Sequence, residues 1–196
     1  MMERSVVQLF KESKREKLMR KRTVAVCFLT LAFAWVASAQ NPSQMPTPGP
    51  EQKRLQYYAG TWNSEYDMKP GPMGPGGKMT ETDRSQMLPG GFFLVTHTDG
   101  KGFMGELHEV AVMGYDAEGK VYTYDAYNNF GEAEHFKGTV QGDTWTWTSE
   151  AKMGGQPVKM RFIAKEVSPT MYTMKLEMAG ASGWTTVMEG KATKAK

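Results

Sequence analysis

The chain has 196 residues, a formal charge of +3 and one cysteine. Residues 1–39 hold 8 of the 24 Lys+Arg and 3 of the 21 Asp+Glu, so residues 40–196 carry 16 basic against 18 acidic groups, a net of −2. A segment with that balance and no basic stripe is excluded from charge-driven binding to nucleic acid, and without cysteine it is excluded from thiol chemistry and disulfides.

The positive residues belong to a leader. Val24 to Val36 is an apolar run, preceded by Arg20-Lys21-Arg22 and followed by Ala37-Ser38-Ala39. It is shorter than the roughly 20 residues of a transmembrane helix and ends in a small-x-small cleavage pattern, so residues 1–39 read as a signal peptide cut between Ala39 and Gln40. A start at Met19 would give a compact leader, MRKR followed directly by the apolar core. Cys27 follows Val26 rather than a small residue, which argues against lipidation. The expectation is a secreted or periplasmic protein with no stable membrane insertion after cleavage.

Residues 40–50 contain a cluster of prolines without apolar periodicity and read as a Pro-rich linker. The fold is expected over 51–194. EQKRLQYYA offers two helical turns with Leu55 and Tyr58 on one side. Short alternating runs follow, separated by turn residues: Thr61–Met68, Met79–Met87, Phe92–Thr98, Phe103–Tyr115, Lys120–Asn128, Glu132–Val140, Thr144–Glu150, Val158–Lys165, Tyr172–Met178 and Trp184–Thr193. Period two is plainest where Val158, Met160, Phe162 and Ala164 fall on one face and Lys159, Arg161 and Lys165 on the other. Ten strands joined by tight turns predict an all-β, antiparallel up-and-down barrel with a short N-terminal helix, because closure removes the two edges that an open meander leaves. A two-sheet sandwich is the alternative.

The run Leu55-Gln-Tyr-Tyr-Ala-Gly60-Thr61-Trp62 resembles the short helix and Gly-x-Trp lead-in of lipocalin-like (calycin-like) barrels. Four further stretches extend the likeness: Leu88-Pro-Gly90-Gly91-Phe92, Met113-Gly-Tyr115-Asp116 through Tyr122, Asn128-Asn-Phe-Gly131 with Lys137-Gly138, and Trp184 through Lys194. Together they are similar to the bacterial family called domain of unknown function 1579. The resemblance implies a lipocalin-like barrel of unestablished activity, with no catalytic residues to carry over. One departure is Lys194 where the family often ends on arginine; lysine lacks the planar guanidinium that stacks on an indole.

No nucleophile elbow, phosphate-binding glycine loop or zinc helix motif is present, and no enzyme activity, cofactor or metal is expected. The Pro/Gly stretch 71–77 reads as a flap or a solvated loop between the first two strands. The histidines, His97, His108 and His135, lie on three strands without ligand spacing; a barrel wall could still bring His135 or His108 to a haem. Residues 40–196 hold 13 methionines against five leucines and one isoleucine, which makes methionine the barrel filler and an adaptable one. Met171, Met174 and Met178 cannot converge on a soft metal from one strand, since Met171 faces away from the other two.

The ligand-binding candidates are Trp62, Tyr124, Tyr127, Asp125, His135, Trp145, Trp147, Met160 and Met174. Trp145 and Trp147 share a face, as do Tyr122 and Tyr124, while Tyr127 and Asp125 share the opposite one; which face points inward is open. Three functions follow: a barrel holding a small apolar ligand, a haem- or metal-binding barrel or enzyme using His135 or His108 with Asp125, or a solid structural or partner-binding envelope protein. Oligomeric state is not legible.

Overall fold

The computed structural model describes residues 46–153 and 155–196. The expected signal peptide, its cleavage site and the first part of the linker lie outside the described residues. From Thr47 onward the chain is one compact unit.

Helix α1 (Pro50–Arg54) starts where the local chemistry favours it. Pro50 sits at the first helical position, and the Gln52 side chain accepts the Gly49 N–H at 2.9 Å. It runs into a 3-10 turn, Leu55–Tyr58, which buries Leu55 and Tyr58. Ten antiparallel strands follow: β1 (Gly60–Met68), β2 (Gly77–Met87), β3 (Leu94–Gly102), β4 (Gly105–Asp116), β5 (Val121–Asn128), β6 (Ala133–Gln141), β7 (Thr144–Met153), β8 (Gln156–Ser168), β9 (Met171–Gly180) and β10 (Gly183–Lys194). Each pairs with its sequence neighbours, and β1 pairs with β10 from Trp62↔Lys194 to Met68↔Met188, closing the barrel. The sandwich alternative is thereby overturned, because the two strands that would be edges satisfy each other's backbone groups.

Most expected strand boundaries move by one to four residues, most visibly around β3 and β4. Phe92 precedes β3, which instead runs on to Gly102, and Phe103-Met104 form a turn between the paired Gly102 and Gly105. Among the described residues, no helix is long and apolar enough to cross a membrane.

Period-two alternation puts the apolar sets inside. On β9, Tyr172, Met174, Leu176 and Met178 are buried, and on β8 Met160 and Ala164. The face shared by Trp145 and Trp147 and the face shared by Tyr122 and Tyr124 both point inward, with Trp145, Trp147 and Tyr122 buried. Outside, Glu177 is covered by its own partners: Arg161 and Lys175 donate hydrogen bonds to it, and Trp184 lies 4.3 Å from the Arg161 guanidinium.

Gly138 shows how tightly one part of the wall is packed. A Cβ there would lie 2.4 Å from Cε3 of the Trp147 ring, so the indole lies flat on bare backbone. Gly138→Val is expected to lower unfolding stability by about 1–3 kcal/mol through overpacking, read from the urea midpoint; an unchanged midpoint would contradict this packing.

Candidate functional site

The starts of the odd-numbered strands and the ends of the even ones form one end of the barrel, and α1 with its 3-10 turn closes it. The Trp62 indole, 1 % exposed, donates to the Tyr58 carbonyl at 2.9 Å and packs against Tyr57 and Tyr172. The Tyr57 hydroxyl lies 2.9 Å from the Ser168 carbonyl and 3.0 Å from that of Met171. Trp145 donates to Glu166 at 2.7 Å, and Arg54 pairs with the same carboxylate at 2.7 Å. Lys194 covers Trp62 with its ammonium 5.1 Å from the ring. The Gly-x-Trp lead-in fits this arrangement. Gly60 has φ +115°, and a Cβ on it would lie 2.7 Å from Cε of Lys194.

The opposite end is open. Above the plug lies a cavity of about 520 Å³, inside the roughly 300–1,000 Å³ typical of small-molecule sites. The interior is therefore not filled solid. Its rim is mostly apolar, with Pro72 and Met73, Met104, Phe130 and Met153 from the loops or strand ends of four hairpins and Asn128 and Glu132 beside Phe130. The flap segment is ordered into a tight turn, with reciprocal Gly71–Gly74 backbone hydrogen bonds of 3.0 Å that carry Pro72 and Met73 to the mouth.

The cavity has two unlike walls. Met153 on β7, Met160 and Phe162 on β8, Met174 and Leu176 on β9 and Met188 on β10 supply an apolar wall. Opposite, Ser64 and Tyr66 on β1, Glu81 and Asp83 on β2, Thr96 and Thr98 on β3, Glu109 on β4, Tyr124 on β5 and Glu134 on β6 supply a polar one. Asp83 faces Thr98, and Thr98 faces Glu109, in register across three strands. Neutral donors meet three of the carboxyl groups: Tyr66 to Glu81, Thr98 to Asp83 at 2.6 Å, and Tyr124 to Glu109 at 3.0 Å.

Desolvation, assisted by repulsion from neighbouring carboxylates, pushes Glu81 up to about 7 despite the opposing Tyr66 hydrogen bond. Desolvation and the charges of Glu109 and Glu132 push Glu134 up to about 7 as well. Asp83 and Glu109 are raised by burial too. The Tyr66, Tyr124 and Tyr172 hydroxyls are raised by desolvation and adjacent acids, so they remain neutral donors.

Of the residues singled out from sequence, Trp62, Tyr124, Trp147, Met160 and Met174 line the cavity. Trp145 faces inward but belongs to the plug, fully buried and stacked on Trp147 at 5.8 Å. Tyr127, Asp125 and His135 do not line it. Asp125 and His135 pair across β5 and β6 on the outer wall at 2.6 Å, with side chains 46 % and 62 % exposed, and Tyr127 stands edge-on to the histidine. Such an exposed pair is worth about 0–1 kcal/mol and is no buried acid–base couple.

His108 binds Asp99 outside at 2.9 Å, and His97 is also exposed. The haem reading that places His135 or His108 inside with Asp125 is thus corrected: all three histidines alternate with inward residues and fall on the outer face. Among the described residues, no three His, Cys, Asp or Glu side chains converge on a metal-sized point. The carboxylates of the polar wall were not anticipated from sequence.

The fold and cavity of the described residues define a closed ten-stranded antiparallel barrel. The chain belongs to the family described as Protein of unknown function (DUF1579), whose model matches residues 47–194. Among solved structures it is similar to the crystal structure of Rv2717c from M. tuberculosis, at TM-score 0.55 and 13 % identity over 76 % of this chain and 99 % of that one. A redesigned beta barrel aligns at TM-score 0.33 and 12 % identity, covering 72 % of this chain and 95 % of that one. No curated protein matches the chain.

Proposed function

We propose that this protein is an exported binding module that holds a small, mostly apolar ligand inside its barrel. The observation that carries the reading is the cavity of about 520 Å³, plugged at one end and rimmed at the other by Met73, Met104 and Phe130. Met104 and Phe130 are 47 % and 42 % exposed, an unfavourable use of apolar surface unless something apolar passes over it. The methionine wall adapts its side chains to ligands of differing shape.

Export is supported by the basic residues before the apolar run and by Ala37-Ser38-Ala39 after it. N-terminal sequencing of the exported protein is expected to begin at Gln40 or a near neighbour.

Native mass spectrometry of protein purified from its own compartment is expected to show a co-purifying small molecule. Stripped protein should raise the fluorescence of the neutral probe N-phenyl-1-naphthylamine, and Met160→Trp, which fills the cavity, should weaken that binding by about tenfold or more. Equal binding by the folded variant would place the probe elsewhere and remove the proposal.

A further inference from the structure

We infer that the ligand is an organic cation, an amine or quaternary ammonium head on an apolar body, with the head held against the acidic wall and the body against the methionine wall. The inference rests on the cavity reading and names the chemistry that would fill it. Five carboxyl groups line the cavity: Glu81, Asp83, Glu109, Glu132 and Glu134. Among the described residues, no lysine, arginine or histidine lines it. Buried carboxylates are ordinarily paired with cations, and here Glu81, Asp83 and Glu109 meet only hydroxyl donors, from Tyr66, Thr98 and Tyr124, while the exposed Glu132 accepts from the Asn128 amide. Glu134 accepts no side-chain hydrogen bond among the described residues. Among the described residues, no side chain of the lining supplies the cation that would balance this wall.

At the plug one buried polar group also lacks a partner. The Tyr58 side chain lines the cavity floor, is 6 % exposed, and its hydroxyl has no hydrogen-bond partner among the described residues. A buried hydroxyl left without a partner costs stability, a cost that an amine N–H donated to it would offset and a quaternary ammonium would not.

Aromatic faces complete the fit. Tyr124, which donates to Glu109, packs against Phe136 and Trp147 at ring separations of 6.0 and 5.9 Å. Rings beside carboxylates attract a desolvated ammonium by their quadrupoles as well as by charge. An anionic ligand meets the opposite field, and a neutral one leaves the acids uncompensated.

The titratable groups that face the head are the five carboxyls and, from the other elements, Tyr58, Tyr66, Tyr124 and Tyr172; β3, β7, β8 and β10 contribute no charged side chain to the lining. In the free cavity Glu81 and Glu134 hold protons up to about pH 7. A bound cation favours their ionised forms, so its binding expels protons and tightens as pH rises.

The test compares three probes of one chain length, decyltrimethylammonium, decanol and decanoate, by tryptophan fluorescence and calorimetry on the stripped protein. At about pH 8 the ammonium is expected to bind at least about tenfold tighter than decanol, with decanoate weakest. Its affinity should fall about tenfold or more on going to about pH 5, while decanol changes little. Glu134→Gln and Glu81→Gln should each weaken the ammonium severalfold and leave decanol unchanged. A preference for decanol or decanoate would overturn the inference and leave the cavity reading standing. Failure of all three to bind would overturn both.

Discussion

The ligand-free protein is expected to unfold at a higher temperature at pH 5 than at pH 8. In the folded chain, Glu81 and Glu134 keep their protons up to about pH 7, whereas in the unfolded chain they release them near 4.5. Between those values the folded state binds more protons, so stability is greatest at the lower pH and is lost as pH rises towards 7. Asp83 and Glu109 are raised as well and add in the same direction. Asp99 is shifted the other way by hydrogen bonds from Arg84 and His108, and the loss it causes begins only as pH falls below the ordinary aspartate range.

At about 1.4 kcal/mol per pH unit, and counting the mutual repulsion of the acids once, the difference is on the order of 2–4 kcal/mol. That corresponds to a midpoint shift of roughly 5–15 °C for a domain of this size. Calorimetry at the two pH values reads it directly. The double change Glu81→Gln with Glu134→Gln should flatten the dependence and stabilise the protein at pH 8. A wild-type midpoint equal at both pH values, or higher at pH 8, would show that the acidic wall is solvated like an outer surface.

Removing the plug tryptophan is expected to be the costliest single truncation. Trp62→Ala should lower unfolding free energy by about 3–5 kcal/mol, the range for large aromatic side chains in a packed core. The indole is fully buried, bonded to the Tyr58 carbonyl and flanked by Tyr57, Tyr172 and Lys194. Trp62→Phe keeps part of the packing and loses the N–H bond, and should fall between the two. Lys194→Ala is expected to cost about 0.5–1 kcal/mol in wild type and nothing further in the Trp62→Ala background, since the cation–π contact is then already gone. Urea titration of wild type and the four variants reads all four values. Full additivity would mean that the ammonium stabilises the barrel by some route other than the ring.

The barrel was legible because most of its strands alternate cleanly. Val158-Lys-Met-Arg-Phe and Tyr172-Thr-Met-Lys-Leu assign their own inner faces, and Trp145 and Trp147 could share only one. Strand β5 was harder, since aromatic residues lie on both of its faces. Its resolving feature was Ala126, fully buried on the same side as Tyr122 and Tyr124, which leaves Asp125 and Tyr127 outside.

The acidic wall was missed for a definite physical reason. Met79-Thr-Glu-Thr-Asp-Arg-Ser-Gln-Met87 is polar on both faces, so hydropathy gives β2 no direction. The parity of its ends does: Met79 is buried and lines the cavity, and Glu81, Asp83 and Ser85 are in phase with it. Glu109 likewise shares the parity of Leu107 and Met113, and Glu134 that of Phe136. A carboxylate in phase with buried methionine or phenylalanine was the available signal, and average hydrophobicity obscures it.

The seam between β1 and β10 sets the order in which the molecule can be completed. Trp62 must pair with Lys194 in the last strand of the barrel. A polypeptide that emerges amino end first, from a ribosome or through a translocation pore, therefore holds its first strand unpaired on one side until its last strand has appeared. This closing contact is also the most distant in sequence, which places it among the slow steps of folding. Chains truncated before Gly183 would retain nine strands and present two open edges to their neighbours. Correct synthesis of Gly183–Lys194 thus separates a closed barrel from an aggregating sheet.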